Sequence, residues 1–185
     1  MASRRLILAS ASPRRRQILK ELKIPFTVQP SQMLEPPPGL LQPAVYARRL
    51  ALAKARIIAS KVTEGLVLGA DTIVVHKKNI LGKPTDFADA CRMLHQLQGT
   101  RHKVITAVAV IDAATGKAKV AHAVSTVTMR PLTIQEIARL GKKNMDKAGS
   151  YAVQAKKDPV VEKIEGSYTN VVGLPVELLR KLLKG

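Results

Sequence analysis

The chain has 185 residues and a mass of 20.1 kDa, with 46% hydrophobic and 24% charged residues, which is one domain's length at a globular composition. Cys91 is the only cysteine, so an internal disulfide framework and a multi-cysteine metal site are excluded. Against 13 Asp and Glu stand 31 Lys and Arg, a net charge of +18 that attracts polyanions, from free nucleotides to nucleic acid or an acidic membrane surface.

Aromatic residues are only 3% of the chain and Trp is absent, so the stacking platforms of sequence-reading single-strand binders are missing. Phosphate contact remains open. No apolar run approaches the roughly 20 residues that span a bilayer. The apolar run Leu6-Ile7-Leu8-Ala9 is too short for a signal segment, and Pro13 and three arginines follow it. A soluble, cytoplasmic protein is expected.

Leu6 to Ala9 reads as a short buried strand. Ser12-Pro13 marks a helix start, with Ser12 as N-cap and Pro13 at the first helical position, and Ile18, Leu19 and Leu22 carry helical spacing to about Lys23. Phe26 to Gln29 resembles a second strand. Pro30 to Pro43, with Pro36-Pro37-Pro38-Gly39, is an irregular loop. An Ala-rich helix runs from Ala44 to about Ser60, and Leu66 to His76 is a strong strand. Asp86 caps a helix to Leu97. Lys103 to Asp112 and Lys119 to Met129 are strands joined by a hairpin turn at Ala114-Thr115-Gly116-Lys117. Thr133 with Glu136 forms a capping-box pattern for a short helix to Leu140, and Leu174 to Leu183 is the closing helix. Interleaved helices and strands around a central hairpin predict an α/β or α+β mixed sheet in a single domain, residues 1–185.

Ser10-Ala11-Ser12-Pro13-Arg14-Arg15-Arg16 lies between a strand and a helix N-terminus. Free backbone N–H groups, two hydroxyls and several guanidinium groups there suit a phosphate, although an ordinary capped helix with solvated arginines has the same pattern. Asp71, in Gly69-Ala70-Asp71-Thr72, interrupts an otherwise apolar strand. A carboxylate inside such a strand is costly unless it is paired, protonated, holding a metal or solvated at an edge. Residues 1–60 contain only two carboxylates, Glu21 on an amphipathic helix and Glu35 in the proline loop. If a divalent ion binds, Glu35 and Asp71 are its hard-oxygen ligands and the ion is Mg²⁺ or Mn²⁺. On spacing alone Lys54 and Lys83, the latter in the turn Gly82-Lys83-Pro84, read as surface lysines. The four histidines lack zinc spacing, and serine-hydrolase and P-loop motifs are absent. Near the C-terminus, Asp146-Lys147-Ala148-Gly149-Ser150-Tyr151 leads to Gln154, and a second glycine-punctuated stretch runs from Ile164 to Pro175.

Seven of these segments in order resemble the Maf family of nucleoside triphosphate pyrophosphatases: Ser10 to Arg15, Leu50 to Ala55, Gly69 to Thr72, Gly82 to Pro84, Gly99 with His102 and Thr106, Asp146 to Gln154, and Asn170 to Pro175. The resemblance implies an elongated α/β fold, related to the inosine triphosphate pyrophosphatases, with two lobes around a cleft. It also implies a homodimer, a divalent metal, a cytoplasmic location and an association with arrest of septum formation. Arg14, Thr72 and Gln154 match the branch that acts on dTTP and UTP, where the branch preferring 7-methyl-GTP has Trp, Gln and Glu. In this resemblance Asp71 is the general base or holds the metal with Glu35. Arg14, Arg15, Lys54 and Lys83 offset the triphosphate charge, and Ser10 holds phosphate oxygens. The Gln154 amide can accept from the N3–H of uracil or thymine and donate to a ring carbonyl, with Thr72 and Arg14 fixing its orientation. The chain departs from the family at Ala155, often Gly, and at Gln32-Met33-Leu34, where relatives often carry another acid. The rival expectation is a basic protein that binds nucleic acid or blocks septum formation through binding alone.

Overall fold

The computed structural model describes residues 5–153 and 160–184. Strand β1 (Leu6–Leu8) leads into helix α1 (Pro13–Glu21), strand β2 (Phe26–Val28) and helix α2 (Pro43–Ala59). The hairpin of β3 (Leu66–His76) and β4 (Asn79–Leu81) precedes helix α3 (Phe87–Leu97). Strands β5 (Arg101–Asp112) and β6 (Ala118–Met129) form the central hairpin, and helix α4 (Ile134–Lys143) follows. Strand β7 (Val161–Glu165), helix α5 (Tyr168–Val172) and helix α6 (Val176–Lys184) complete the chain.

Among the described residues seven strands form one mixed sheet in the order β2-β1-β3-β5-β6-β7, with β4 paired to β3 off that path. Parallel pairing joins β1 to β2 and β3, and antiparallel pairing joins the rest. The N-caps act as their sequence predicts. Ser12 accepts from the Arg15 N–H, Asp86 accepts from the Asp89 N–H, and Thr133 and Glu136 form a reciprocal capping box.

The period of two along β3 and β5 sorts their side chains onto two faces. Val67, Ile73 and Val75, with Ile105, Ala107, Ala109 and Ile111, pack under α2. On the opposite face Leu68, Ala70, Val108 and Val110 pack against Ile18 and Leu19 of α1 and Leu179 of α6. Further along that same face Val74 and Val104 join a separate core with Met93, Leu94 and Leu97 of α3 and Ile137 and Leu140 of α4. Between these two cores the face carries the directly paired residues Thr72 and Thr106. A polar belt therefore crosses the sheet where one core ends and the other begins.

Gly69 sets the distance between α2 and the sheet. A methyl group built there would lie 2.2 Å from the Ala51 carbonyl oxygen and 2.8 Å from the Ala55 nitrogen, both backbone atoms of α2. Gly69→Ala is therefore expected to lower unfolding free energy by about 3 kcal/mol, the upper range for an overpacked core, in a urea melt. It should also lower turnover, because α2 carries Lys54. Wild-type stability in that variant would show that α2 is not seated by this glycine.

The structure adds elements that the sequence pattern does not announce. β4 follows a turn in which Lys77 adopts a φ of 55°, without the glycine that signals such a turn. β7 is a short edge strand with exposed Glu162, Lys163 and Glu165. The expected closing helix, Leu174 to Leu183, is α6, and a separate short helix that the pattern does not announce, α5, precedes it and ends at Gly173, at a φ of 122°.

Candidate active site

β5 occupies one edge of β3 from Leu66 to Val75. On the other edge β1 pairs only with Leu66 to Leu68, and β4 begins its pairing at Val74. Among the described residues, 69–73 therefore have no strand partner on that side. The gap lets Asp71 on one face and Thr72 on the other line the same cleft, which has a volume of about 560 Å³. That volume suits a small-molecule ligand. The β1–α1 turn, the proline loop, Lys83 and the segment Asp146 to Val153 supply the remaining walls.

Asp71 does not lie solvated at this edge. Its side chain is 6% exposed, and its Oδ1 accepts a 2.6 Å hydrogen bond from Lys54 Nζ. The same ammonium donates to Glu35 Oε1 at 2.7 Å. Lys54 is thus no surface lysine: its side chain is 12% exposed and joins two carboxylates from distant parts of the chain. The proline loop delivers Glu35 because Met33 and Leu41 pack on the α2 core, while the Tyr46 hydroxyl donates to the Pro36 carbonyl at 2.8 Å. Asp71 Oδ2 is buried and has no hydrogen-bond partner among the described residues. Such an atom is costly unless a ligand, proton or ion meets it.

Arg15 does more than offer charge. Its Nε donates to the Gly173 carbonyl at 2.9 Å, one terminal nitrogen to Ser10 Oγ at 2.9 Å and the other to Thr72 Oγ1 at 3.2 Å. It clamps the β1–α1 turn, β3 and the end of α5 together. Burial lowers its pKa, the Asp71 charge raises it, and a guanidinium so placed stays protonated. Ser10 Oγ also accepts from the Ser12 N–H at 3.3 Å, which leaves its own hydrogen for an acceptor in the cleft.

Arg14 donates to Asp146 Oδ2 at 3.4 Å, and Lys147 donates to Asp146 Oδ1 at 2.6 Å. Burial acts to raise the Asp146 pKa, yet the Lys147 hydrogen bond and the charges of Lys147 and Arg14 bring it below the ordinary value. Lys83 lines the same cleft and is held by its turn, where the Gly149 N–H donates to the Gly82 carbonyl at 3.1 Å.

The wall segment includes Tyr151, whose hydroxyl lies 2.8 Å from His102 Nε2 on β5 in a buried contact. Burial pushes the His102 imidazole down to about 4, with a smaller push from His76. In the unfolded chain the group titrates near 6.5. Between those values the unfolded state binds the proton and the folded state does not. Stability is therefore full above about pH 6.5 and falls toward pH 4, by on the order of 3 kcal/mol. His102→Gln is expected to flatten this stretch of the Tm–pH curve, and an unchanged slope would contradict the assignment.

The structure brings Ser10, Arg14, Arg15, Glu35, Lys54, Asp71, Thr72 and Lys83 to one cleft. Gln154 lies outside the described residues. Sequence reasoning gave no role to Asp146, Lys147, Tyr151, His102, Thr106 or Asn170, although each falls within a motif it had singled out. Their signal was a polar residue in a buried element or next to a glycine turn, which spacing alone does not separate from ordinary punctuation. Among the described residues no cluster of three or more His, Cys, Asp or Glu stands ready for a metal. Glu35 and Asp71 converge as a pair, with Asp71 Oδ2 open.

The sequence profile of a family described as Maf-like protein matches residues 5–185. A dTTP/UTP pyrophosphatase of Moorella thermoacetica is 48% identical over 182 residues, covering 97% of this chain and 93% of its own length. A dTTP/UTP pyrophosphatase of Pelotomaculum thermopropionicum is 46% identical over 181 residues, covering 97% of this chain and 95% of its own. Among solved structures, a HAM1 protein from Coxiella burnetii superposes with a TM-score of 0.57 at 14% identity, covering 98% of this chain and 99% of that one. The last likeness is one of fold, and it extends over the whole mixed sheet.

Proposed function

The chain belongs to the Maf family, and from that premise we propose that it hydrolyses dTTP and UTP between the α- and β-phosphates, releasing the nucleoside monophosphate and pyrophosphate. The observation that carries the chemistry is Asp71 Oδ2, a buried carboxylate oxygen without a partner in a cleft walled by cations. Water forms a bond to the α-phosphorus while the bond from that phosphorus to the bridging oxygen breaks. Pyrophosphate leaves with the bridging oxygen, and the water proton passes to Asp71 Oδ2.

Most of the catalysis of phosphoryl transfer lies in positioning and in stabilising charge. Lys54 holds Asp71 and Glu35 in place and adds its own charge. Arg14, Arg15 and Lys83 offset the triphosphate, and Lys147, on the same wall, joins them. Ser10 donates its free hydrogen to a phosphate oxygen. Gln154 donates to a ring carbonyl of the base, beside the imide N–H; this role rests on its place in the family motif.

Glu35 and Asp71 fit a divalent cation, Mg²⁺ or Mn²⁺, because such ions in phosphate sites take one or two carboxylates and leave other positions to water and substrate. When bound, the ion supplies positive charge to the phosphate oxygens. A homodimer and a cytoplasmic location complete this reading, and both rest on family membership. A protein acting only by binding nucleic acid or by contacts at the septum leaves a lysine-held carboxylate inside a strand without a purpose.

Phosphorus NMR of the products formed from UTP tests the bond cleaved. UMP and pyrophosphate in equal amounts are expected. UDP with inorganic phosphate would place the cleavage at the wrong anhydride.

A further inference from the structure

The polar belt beneath Thr72 fixes the direction of every hydrogen bond along it. Thr106 Oγ1 donates to the Asn170 carbonyl oxygen at 2.8 Å, and a carbonyl only accepts. A hydroxyl has one hydrogen, so the 3.0 Å contact between Thr72 Oγ1 and Thr106 Oγ1 has Thr72 as donor. Asn170 is itself held on every side. Its Oδ1 accepts from the Thr106 N–H at 3.1 Å, and its Nδ2 donates to the Val104 carbonyl at 3.0 Å and to Ser125 Oγ at 2.9 Å. Thr106 and Asn170 are fully buried, so no water competes for these positions.

Thr72 therefore gives its hydrogen to the interior and accepts from Arg15. What it retains toward the cleft is a lone pair. Ser10, two residues past the end of β1, has the opposite sense and retains a hydrogen. A phosphate oxygen, which only accepts, is matched by Ser10 and mismatched by Thr72.

We propose that Thr106 and Asn170 are positioning residues for base selection: they hold the Thr72 hydroxyl as an acceptor, which favours a base presenting an imide N–H over one presenting a bare ring nitrogen. This rests on the pyrophosphatase reading of the cleft and deepens it. Uracil and thymine carry a hydrogen on N3, whereas N3 of cytosine is an acceptor, and an acceptor facing an acceptor in a desolvated site is strongly disfavoured. Thr106→Val keeps the shape of residue 106 and removes its hydroxyl. The Thr72 hydrogen is then free to turn into the cleft and meet the cytosine N3.

The test is the ratio of kcat/KM for UTP to that for CTP, with dTTP and dCTP as a second pair. Thr106→Val is expected to lower each ratio by about tenfold or more, through a raised KM for UTP and a gain with CTP, and Thr106→Ser is expected to restore it. A folded Thr106→Val protein with wild-type ratios would overturn the proposal, as would a ratio changed equally in Thr106→Ser. Turnover of 2′,3′-dideoxythymidine triphosphate separates the other donor available to Thr72, a sugar hydroxyl. A loss of turnover there, with ratios unmoved by Thr106→Val, assigns Thr72 to the sugar and overturns base selection.

If Thr106→Val does not fold, calorimetry on the wild-type chain decides the same question. UMP is expected to bind about tenfold or more tightly than CMP and N3-methyl-UMP, and equal binding of UMP and N3-methyl-UMP would contradict the proposal. Absence of pyrophosphate release from every nucleotide by the wild-type chain, by contrast, removes the pyrophosphatase reading itself.

Discussion

Asp71→Asn is expected to lower kcat by about 10³- to 10⁴-fold, the upper range for loss of a general base, with the fold retained. Asn has the same shape. With its oxygen turned to Lys54, its nitrogen takes the place of the unpartnered Oδ2, so an acceptor of protons becomes a donor of hydrogen bonds. Lys54 keeps Glu35 as a charged partner, which limits the cost to stability. Steady-state release of pyrophosphate from UTP, alongside a thermal melt, reads both quantities. Near-normal turnover in a folded Asp71→Asn protein would remove Asp71 from the chemistry.

Lys54→Met has a different signature, because it is expected to harm stability and activity together. Removing one partner of a buried ion pair leaves an uncompensated charge and costs about 3–5 kcal/mol. The side chains of Lys54 and Asp71 are 12% and 6% exposed, so this pair falls in that class. Glu35, at 41%, is free to turn to water and adds little. Without the ammonium neither carboxylate is held over the cleft, and turnover should fall by at least about 10²-fold, as for a lost positioning group. Lys54→Arg is expected to recover more stability than activity, since a guanidinium keeps the charge but not the point geometry. A Lys54→Met protein as stable as the wild type in urea would show that the pair is not buried in the working molecule.

The two experiments separate what was legible in the sequence from what was not. Asp71 was conspicuous, since a carboxylate amid Val67, Leu68, Ile73, Val74 and Val75 asks for a partner. The partner was not conspicuous. Lys54 and Asp71 meet because Gly69 allows the α2 backbone against β3, a contact between elements that no local pattern encodes. Arg15 was legible as a cation near a helix start, but its three acceptors come from Ser10, Thr72 and Gly173, whose proximity depends on the sheet order. The gap along β3 that opens the cleft follows from the short reach of β1 and β4, and β4 itself follows a turn without glycine.

Polar residues within apolar strands were the subtler signal. Thr106 sits among Val104, Ile105, Ala107 and Val108, and Asn170 follows Ser167 in a five-residue helix too short to show periodicity. Each is unremarkable as a residue. Together they form the belt that separates two cores and reaches the cleft through Thr72. Motif order pointed to the family, and the sheet register turned those motif positions into a hydrogen-bonded path.

The central claim is that this basic cleft cleaves pyrimidine triphosphates with an imide base. The most direct measurement is pyrophosphate release from dTTP, UTP, CTP, GTP, ATP and 7-methyl-GTP, with Mg²⁺ or Mn²⁺ present and with chelator as the control. Release confined mainly to dTTP and UTP, and abolished by chelator, is the expected result. Release mainly from 7-methyl-GTP or the purine nucleotides, or from none of the six, would contradict it.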